Sequence, residues 1–312
     1  MRNRSFLCVL PIVAGLICFG LAATGQPGGG GKIRVLIVDG QNNHDWARTS
    51  PLLANLLEST GKFSVERATT PPRGAKADAW RTFRPSFGNY SVVVVNYNGE
   101  TWPGDVRTAF ERYVASGGGV VVVHAGNNPF ADWEEYNRMI GLGWRNNRFG
   151  WRIYLDDGGR IHRVPPGEGP GAGHGRQHEY VVTIRDPEHP VTRGMPRQWL
   201  HTRDELYHGQ RGPAEKMHIL ATAYSDPRTG GTGVHEPVVW YVPYGEGKVF
   251  TILLGHVGRS QADPVAMRCV GFVTLFRRAA EWVATGRVTL PVPRNFPSAD
   301  RTSVIDLPRF GD

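Results

Sequence analysis

Cysteine is nearly missing from this chain. It has three in 312 residues, and Cys8 and Cys18 both fall in an apolar N-terminal stretch. Loss of that stretch leaves Cys269 alone, so no intrachain disulfide can form, and the mature chain must rely on a full hydrophobic core. Cys269 itself lies in an apolar helical run and is expected to be buried and inert. A long apolar run is missing too. Phe6 to Leu21 is interrupted by Pro11 and by glycine, and it falls short of the ~20 residues that a spanning helix needs. Arg2 and Arg4 precede it, and Ala22, Ala23, Thr24 and Gly25 follow, so residues 1–25 read as a secretory signal. Ile17 rather than a small residue precedes Cys18, which argues against lipidation there. The expectation is a periplasmic or secreted protein without stable membrane insertion. There is also no block of lysine. The net charge of +8 is carried mostly by scattered arginine, whereas nucleic-acid binding needs a clustered basic face. Nucleic acid is therefore not an expected partner.

What is present is an alternation of buried strands and amphipathic helices. Residues 26–32 form a glycine-rich spacer, 33–290 the folded domain, and 291–312 a proline-rich tail that wraps the surface or stays mobile. "IRVLIV" and "SVVVV" are strands, and "GGGVVVVHAGNN" is a strand that ends in an abrupt turn. "SPLLANLLEST" is a helix with Ser50 as N-cap and Pro51 at its first position. "PGDVRTAFERYVASGGG" is a second helix, whose Val106, Phe110, Tyr113 and Val114 share one face. Continuous apolar strands imply a parallel sheet covered by helices on both faces, an α/β architecture. Later segments add the strands "EYVVTI" and "MHILATAY", a hairpin around "PYGEGK", and a closing helix that contains Cys269. Pro165 to Gly175, rich in glycine and proline, is expected to be a mobile loop near the site.

Ligands of such sheets bind at the carboxyl ends of the strands. Three polar loops fall there: "DGQNNHDW", "NYNGETW" and "HAGNNPF". Amides supply donors and acceptors and aromatic rings supply flat faces, a mixture that suits a sugar. Gln41, Asn43, His44, Asn127 and Trp133 are the resulting candidates for holding a small-molecule carbohydrate, and His178, at the start of a strand, joins them. Eleven histidines keep a divalent metal possible, although no segment has an established zinc spacing such as His-Glu-x-x-His. In "HTRDELYH", His201 and Glu205 would share a face only if the stretch were helical.

The element order and the motifs "GGGVVVVHAG", "RDELY" (Arg203 to Tyr207) and "PVVWYVPYGEGKVFTILLGH" (ending at His256) resemble the ThuA-like, trehalose-utilisation family. The resemblance covers roughly Ile33 to Gly286. It implies the flavodoxin-like fold of the class I glutamine amidotransferases. In those enzymes the sharp turn carries a cysteine, served by a histidine after a late strand and a glutamate two residues beyond. Here His124 takes the cysteine's place, His256 the histidine's and Gly258 the glutamate's. A neutral imidazole cannot replace a thiolate in glutamine hydrolysis, so a glutamine amidotransferase is not expected. The resemblance implies instead a ligand that is a disaccharide, glycoside or 3-keto-glycoside. His124 and His256 would shuttle protons, with Glu205 orienting or assisting and Tyr207 beside them. Isomerisation, elimination and hydrolysis all stay open. A non-catalytic sugar-binding protein and a metal-dependent hydrolase are the competing readings, no cofactor other than that possible metal is expected, and the oligomeric state is left open.

Overall fold

The computed structural model describes residues 31–306. The signal reading of residues 1–25 and most of the spacer lie outside the described residues. Among those described, no helix is long and apolar enough to cross a membrane.

The first half alternates strictly. The strands are β1 (Ile33–Asp39), β2 (Phe63–Thr69), β3 (Val92–Val95) and β4 (Gly119–Val123). Between them lie α1 (Trp46–Glu58), the short α2 (Ala77–Trp80) and α3 (Gly104–Ala115). After α4 (Glu134–Ile140) the chain turns to strands: β5 (Trp151–Leu155), β6 (Ile161–Val164), β7 (Gly173–His174) and β8 (His178–Ile184). Then follow β9 (Gln198–Asp204), β10 (Tyr207–His208), β11 (Arg211–Gly212) and β12 (His218–Tyr224). The hairpin β13 (His235–Tyr244) and β14 (Gly247–Ile252) leads to α5 (Val265–Arg268) and α6 (Val270–Thr285).

The main sheet runs β2-β1-β3-β4-β14-β13-β12-β8-β9. From β2 to β14 every pairing is parallel. From β14 to β9 every pairing is antiparallel. The sheet is therefore mixed, with its parallel part where unbroken valine runs demanded it. Along β4 the side chains alternate between two cores. Val121 and Val123 join α1 and α6, while Val120 and Val122 join α3 and α4. With apolar cover on both faces, no polar residue is tolerated in the strand, which explains the four valines.

Three expectations need correction, and the helical condition set on "HTRDELYH" is not met. Helix α1 begins at Trp46, four residues before Ser50, because the Asp45 side chain accepts the Arg48 N–H and caps it earlier. Pro51 thus lies inside the helix, and Ser50 is buried, bonded through its hydroxyl to the Asn96 amide. The closing helix is two helices, since Cys269 breaks the α geometry at ψ 124° and bridges to Val304. "HTRDELYH" is extended, split between β9 and β10, so helical spacing does not apply to it. Pro165–Gly175 is a loop by the site, yet it is laced to the body. Arg211, fully buried, donates to the carbonyls of Gly150, Pro165, Glu168 and Pro170, and Gly173–His174 pairs with Tyr207–His208.

The tail follows the surface as far as Phe296 packed on Trp199 and Ile305 against α5.

Candidate functional site

Strands β1, β3, β4 and β14 are parallel neighbours, so their carboxyl ends share one rim. Each delivers a polar loop there: Asn43 and His44 after β1, Asn98 after β3, His124 and Asn128 after β4, His256 after β14. His124 occupies the sharp turn itself, with φ +44°. That is unusual for a residue with a Cβ, and it persists because the surroundings over-determine it. Two residues on, Gly126 comes so close to β3 that an added Cβ would stand 2.5 Å from the Val95 carbonyl. Only glycine lets the turn close this tightly.

The antiparallel half contributes the acid. Asp204, at the end of β9, is almost fully buried. Its Oδ1 accepts the N–H of Glu205 (2.7 Å) and of His256 (3.0 Å), and its Oδ2 accepts the N–H of Gly255 (2.8 Å). One carboxylate thus fastens the segment bearing Glu205 to the segment bearing His256. Beneath it lies His201, whose Nε2 is 2.8 Å from Asp204 Oδ2. Burial pushes His201 down, but the neighbouring Cys269 sulfur and the Asp204 carboxylate outweigh this and hold it up at about 9.

The three residues of the proposed chemistry come together. Glu205 Oε1 is 3.2 Å from His256 Nε2, and Oε2 is 3.9 Å from His124 Nε2. His174 Nε2 approaches the same carboxylate to 3.8 Å. The ring of His44 lies 4.8 Å from those of both His124 and His256, edge to face. The Nδ1 of His124 donates to the Leu253 carbonyl at 2.7 Å, which leaves Nε2 as a lone pair. That atom is buried and without a hydrogen-bond partner. His44 Nδ1 likewise faces Asn42 Oδ1 at 3.2 Å. Burial, aided by repulsion from His256, drops His44 to about 3. Burial, and then the neighbouring His44 and His256, hold His124 well below the ordinary imidazole range. Both rings are therefore neutral at pH 7, with Nε2 free to accept.

His44, His174, Glu205 and His256 form the floor of a cleft of about 530 Å³, walled by Asn43, Asn98, Asn128, Trp144 and Tyr207, and His124 lies buried behind that floor. A second cavity of about 460 Å³, with Gln177, Arg203 and Gln261, meets it at His256 and Gly258. Another cavity of about 400 Å³, beside α4, is lined without any histidine. Gly258 lies beside the His256 ring, and a Cβ added there would just touch it, at 3.5 Å. Glu205, in the turn between β9 and β10, supplies the carboxylate at that ring.

Among the expected ligand contacts, Asn43, His44 and Tyr207 line the cleft, and four candidates do not. Gln41 is buried and spent on Pro71 O and Glu100. Asn127 is fully buried, donating to Gln210 Oε1 at 2.9 Å, and its neighbour Asn128 faces the cleft in its place. Trp133 is core: its indole donates to Glu111 and its ring packs among Trp102, Phe130 and Tyr136. Trp144, at a turn with no pattern to announce it, provides the aromatic wall. His178 turns to the Arg176 carbonyl, while the preceding Gln177 reaches His256 Nδ1 (3.2 Å) and Glu205 (3.4 Å). Asn127 and His178 each miss the cleft by one residue, in turns that have no periodicity to read. His174, Asn98 and Asp204 were also missed, although Asn98 and Asp204 lie inside motifs already singled out. His44, Glu205 and His256 each offer a ligand atom within 4.8 Å of the others, a set that could hold a metal.

A family model described as trehalose utilisation, ThuA, matches residues 34–283. A ThuA-like protein from Parabacteroides merdae is 43% identical with a TM-score of 0.84, covering 88% of this chain and 98% of that one. A ThuA-like protein from Bacteroides uniformis shares the fold at 18% identity and TM-score 0.53, over 85% of this chain and 97% of its own. No curated protein matches.

Proposed function

The chain belongs to the ThuA family, described by trehalose utilisation, and on that premise we propose that it is an exported enzyme acting on a disaccharide, glycoside or 3-keto-glycoside by imidazole acid/base chemistry. One observation carries this reading. A single carboxylate, Glu205, on the floor of a polar cleft is faced by His256 at 3.2 Å in the cleft and by His124 at 3.9 Å from behind it.

His124 is the base. It is neutral, its Nδ1–H is fixed on Leu253, and its Nε2 lone pair has no competing partner. Nε2 lies behind the cleft's lining, so a proton from a substrate C–H next to a carbonyl, or from a hydroxyl, would reach it through the Glu205 carboxylate 3.9 Å away. The Glu205–His256 pair returns a proton to the oxygen on the other side. Amides of Asn43, Asn98 and Asn128 suit sugar hydroxyls, and Trp144 and Tyr207 offer ring faces. The two cavities, each of a size typical for small-molecule sites, meet at His256. A two-ring ligand lying across them would present its linkage to that pair.

Incubation with trehalose, maltose and their 3-keto forms, followed by product detection, tests the reading. His124→Ala and Glu205→Gln should each lower kcat by at least about 100-fold while calorimetry still shows sugar binding. Unchanged turnover in both variants would overturn the acid/base assignment. A parent protein that binds these sugars and converts none would be a sugar-binding protein instead. Export is checked by fractionation of cells that express the full chain, with the protein expected outside the cytoplasm.

A further inference from the structure

We propose that the floor of this cleft is a binding site for a first-row divalent transition ion of the zinc class, held by His44, His256 and Glu205. The inference takes the location of the site from the reading above but does not depend on any sugar being the substrate.

Three observations carry it. The first is the donor set: two imidazoles and one carboxylate, with ligand atoms within 4.8 Å of one another. They come from three separated segments fixed by the sheet rim and by Asp204. Three protein ligands of N, N and O type, with the remaining side facing a cleft, match a site with an open coordination position. Imidazole donors select zinc and its first-row neighbours over calcium or magnesium, which prefer oxygen throughout.

The second is the state of the rings. Metal-binding histidines characteristically donate their other ring N–H to an oxygen, which fixes the tautomer and the ring plane. His44 has its Nδ1 on Asn42 Oδ1 at 3.2 Å, so Nε2 carries the lone pair. His256 has its Nδ1 on the Gln177 amide at 3.2 Å. A half-turn of that amide gives up its 3.4 Å contact with Glu205 Oε1, which the cation then holds, and in exchange presents its oxygen to Nδ1–H and frees Nε2 for the cation.

The third lies next to the set. His124 Nε2 is buried, has no partner, and points toward Glu205 Oε2 at 3.9 Å. A buried acceptor aimed at a carboxylate leaves two lone-pair bearers face to face, an arrangement that a cation between or beside them relieves. The carboxylate's other approaching partner is again an imidazole, His174 at 3.8 Å. With the ion in place, His256 and Glu205 hold the cation. His124, outside the ligand set, keeps its place as base.

Full-length protein without a histidine tag, stripped with a chelator and dialysed, is titrated with Zn²⁺ by calorimetry and with Co²⁺ by visible absorption. The expected result is one ion per chain and Co²⁺ bands of a four- or five-coordinate site. Affinity should fall at least tenfold in His44→Gln and in Glu205→Gln. His218→Ala, an exposed ring stacked on Tyr241, should bind as the parent does. Circular dichroism and melting curves establish that each variant is folded. If His44→Gln will not fold, the milder Asn42→Ala, which frees the His44 ring, should still weaken binding. Failure of the parent to bind either ion, or equal binding by the parent and the folded variants, overturns the proposal. Sugar turnover is measured separately, before and after stripping. Ion binding without turnover therefore leaves this proposal standing and removes the other, and turnover without ion binding does the reverse.

Discussion

Asp204 is the residue on which the site's geometry turns, although it touches no cleft. It accepts three backbone N–H groups from the Glu205 and His256 segments and the Nε2 of His201. The N–H groups of Gly255 and His256 and the His201 ring would otherwise be buried without this partner. Asp204→Asn removes the charge and replaces one acceptor by a donor, so a loss of about 3–5 kcal/mol is expected, read from chemical denaturation. A loss within 1 kcal/mol would show that the donors find other partners. His201, with the Cys269 sulfur and the Asp204 carboxylate against it, also sets a pH dependence. His201 in the folded state is held at about 9, against about 6.5 for a free imidazole. A raised value means that the folded state binds the proton more tightly. The stabilisation is therefore complete below pH 6.5 and is lost as pH rises through about 9. Melting temperatures measured from pH 6 to pH 10 should fall across that window in the parent. In His201→Gln they should start lower and change less, and parallel curves for the two proteins would contradict the account. Cys269, beside that ring and fully buried, should resist thiol reagents until the protein unfolds.

At the scale of the element, legibility followed periodicity. Four consecutive valines can only be a strand covered on both faces, and β4 is that strand, with alternate residues in two cores. Helix α3 was readable from the stripe of Val106, Phe110, Tyr113 and Val114, all of which are buried. The turns were not. Asn127 and Asn128, or Gln177 and His178, differ by one residue, and nothing in composition says which member faces the cleft. The capping competition at α1 was equally hidden, since Asp45 and Ser50 are both good caps and the backbone chose the earlier. The Pro165–Gly175 loop shows the cost of reading composition alone. Its glycines suggested mobility, but a residue forty positions later decides the matter: Arg211, buried, is spent on its carbonyls. Arg211→Met should leave those carbonyls unsatisfied and cost about 2–4 kcal/mol. It should also open the Pro165–Gly175 segment to limited proteolysis at a rate well above the parent's. Identical digestion patterns would show that the loop holds its place without the guanidinium.

At the scale of the whole domain, the site depends on joining two half-sheets of different kinds. The parallel half was evident from its buried runs, and it carries His44, His124 and His256 on one rim. The antiparallel half carries Glu205, Tyr207 and Gln177. That they reach the same rim follows from long-range pairing of β8, β9 and β12, which local pattern does not encode. This larger sheet ends at β9, an edge strand with backbone groups that need cover. The cover is the proline-rich tail. Ser298 O accepts the Leu200 N–H at 2.7 Å, Ser303 O accepts the Val270 N–H at 2.9 Å, and Ile305 N–H bonds Arg268 O at 2.9 Å. Phe296 packs on the fully buried Trp199 with ring centroids 5.7 Å apart, and Val292 joins the same core. A segment that looks like a dispensable extension by composition is thus the last layer over the edge. Ending the chain at Leu290 removes several apolar contacts, together worth about 3 kcal/mol or more. For a domain of this size that corresponds to a fall in Tm on the order of 10 °C. It also bares β9, so light scattering or sedimentation should show concentration-dependent association that the parent lacks. A truncated chain that melts with the parent and stays monodisperse would mean that the edge is protected by β9 itself rather than by the tail.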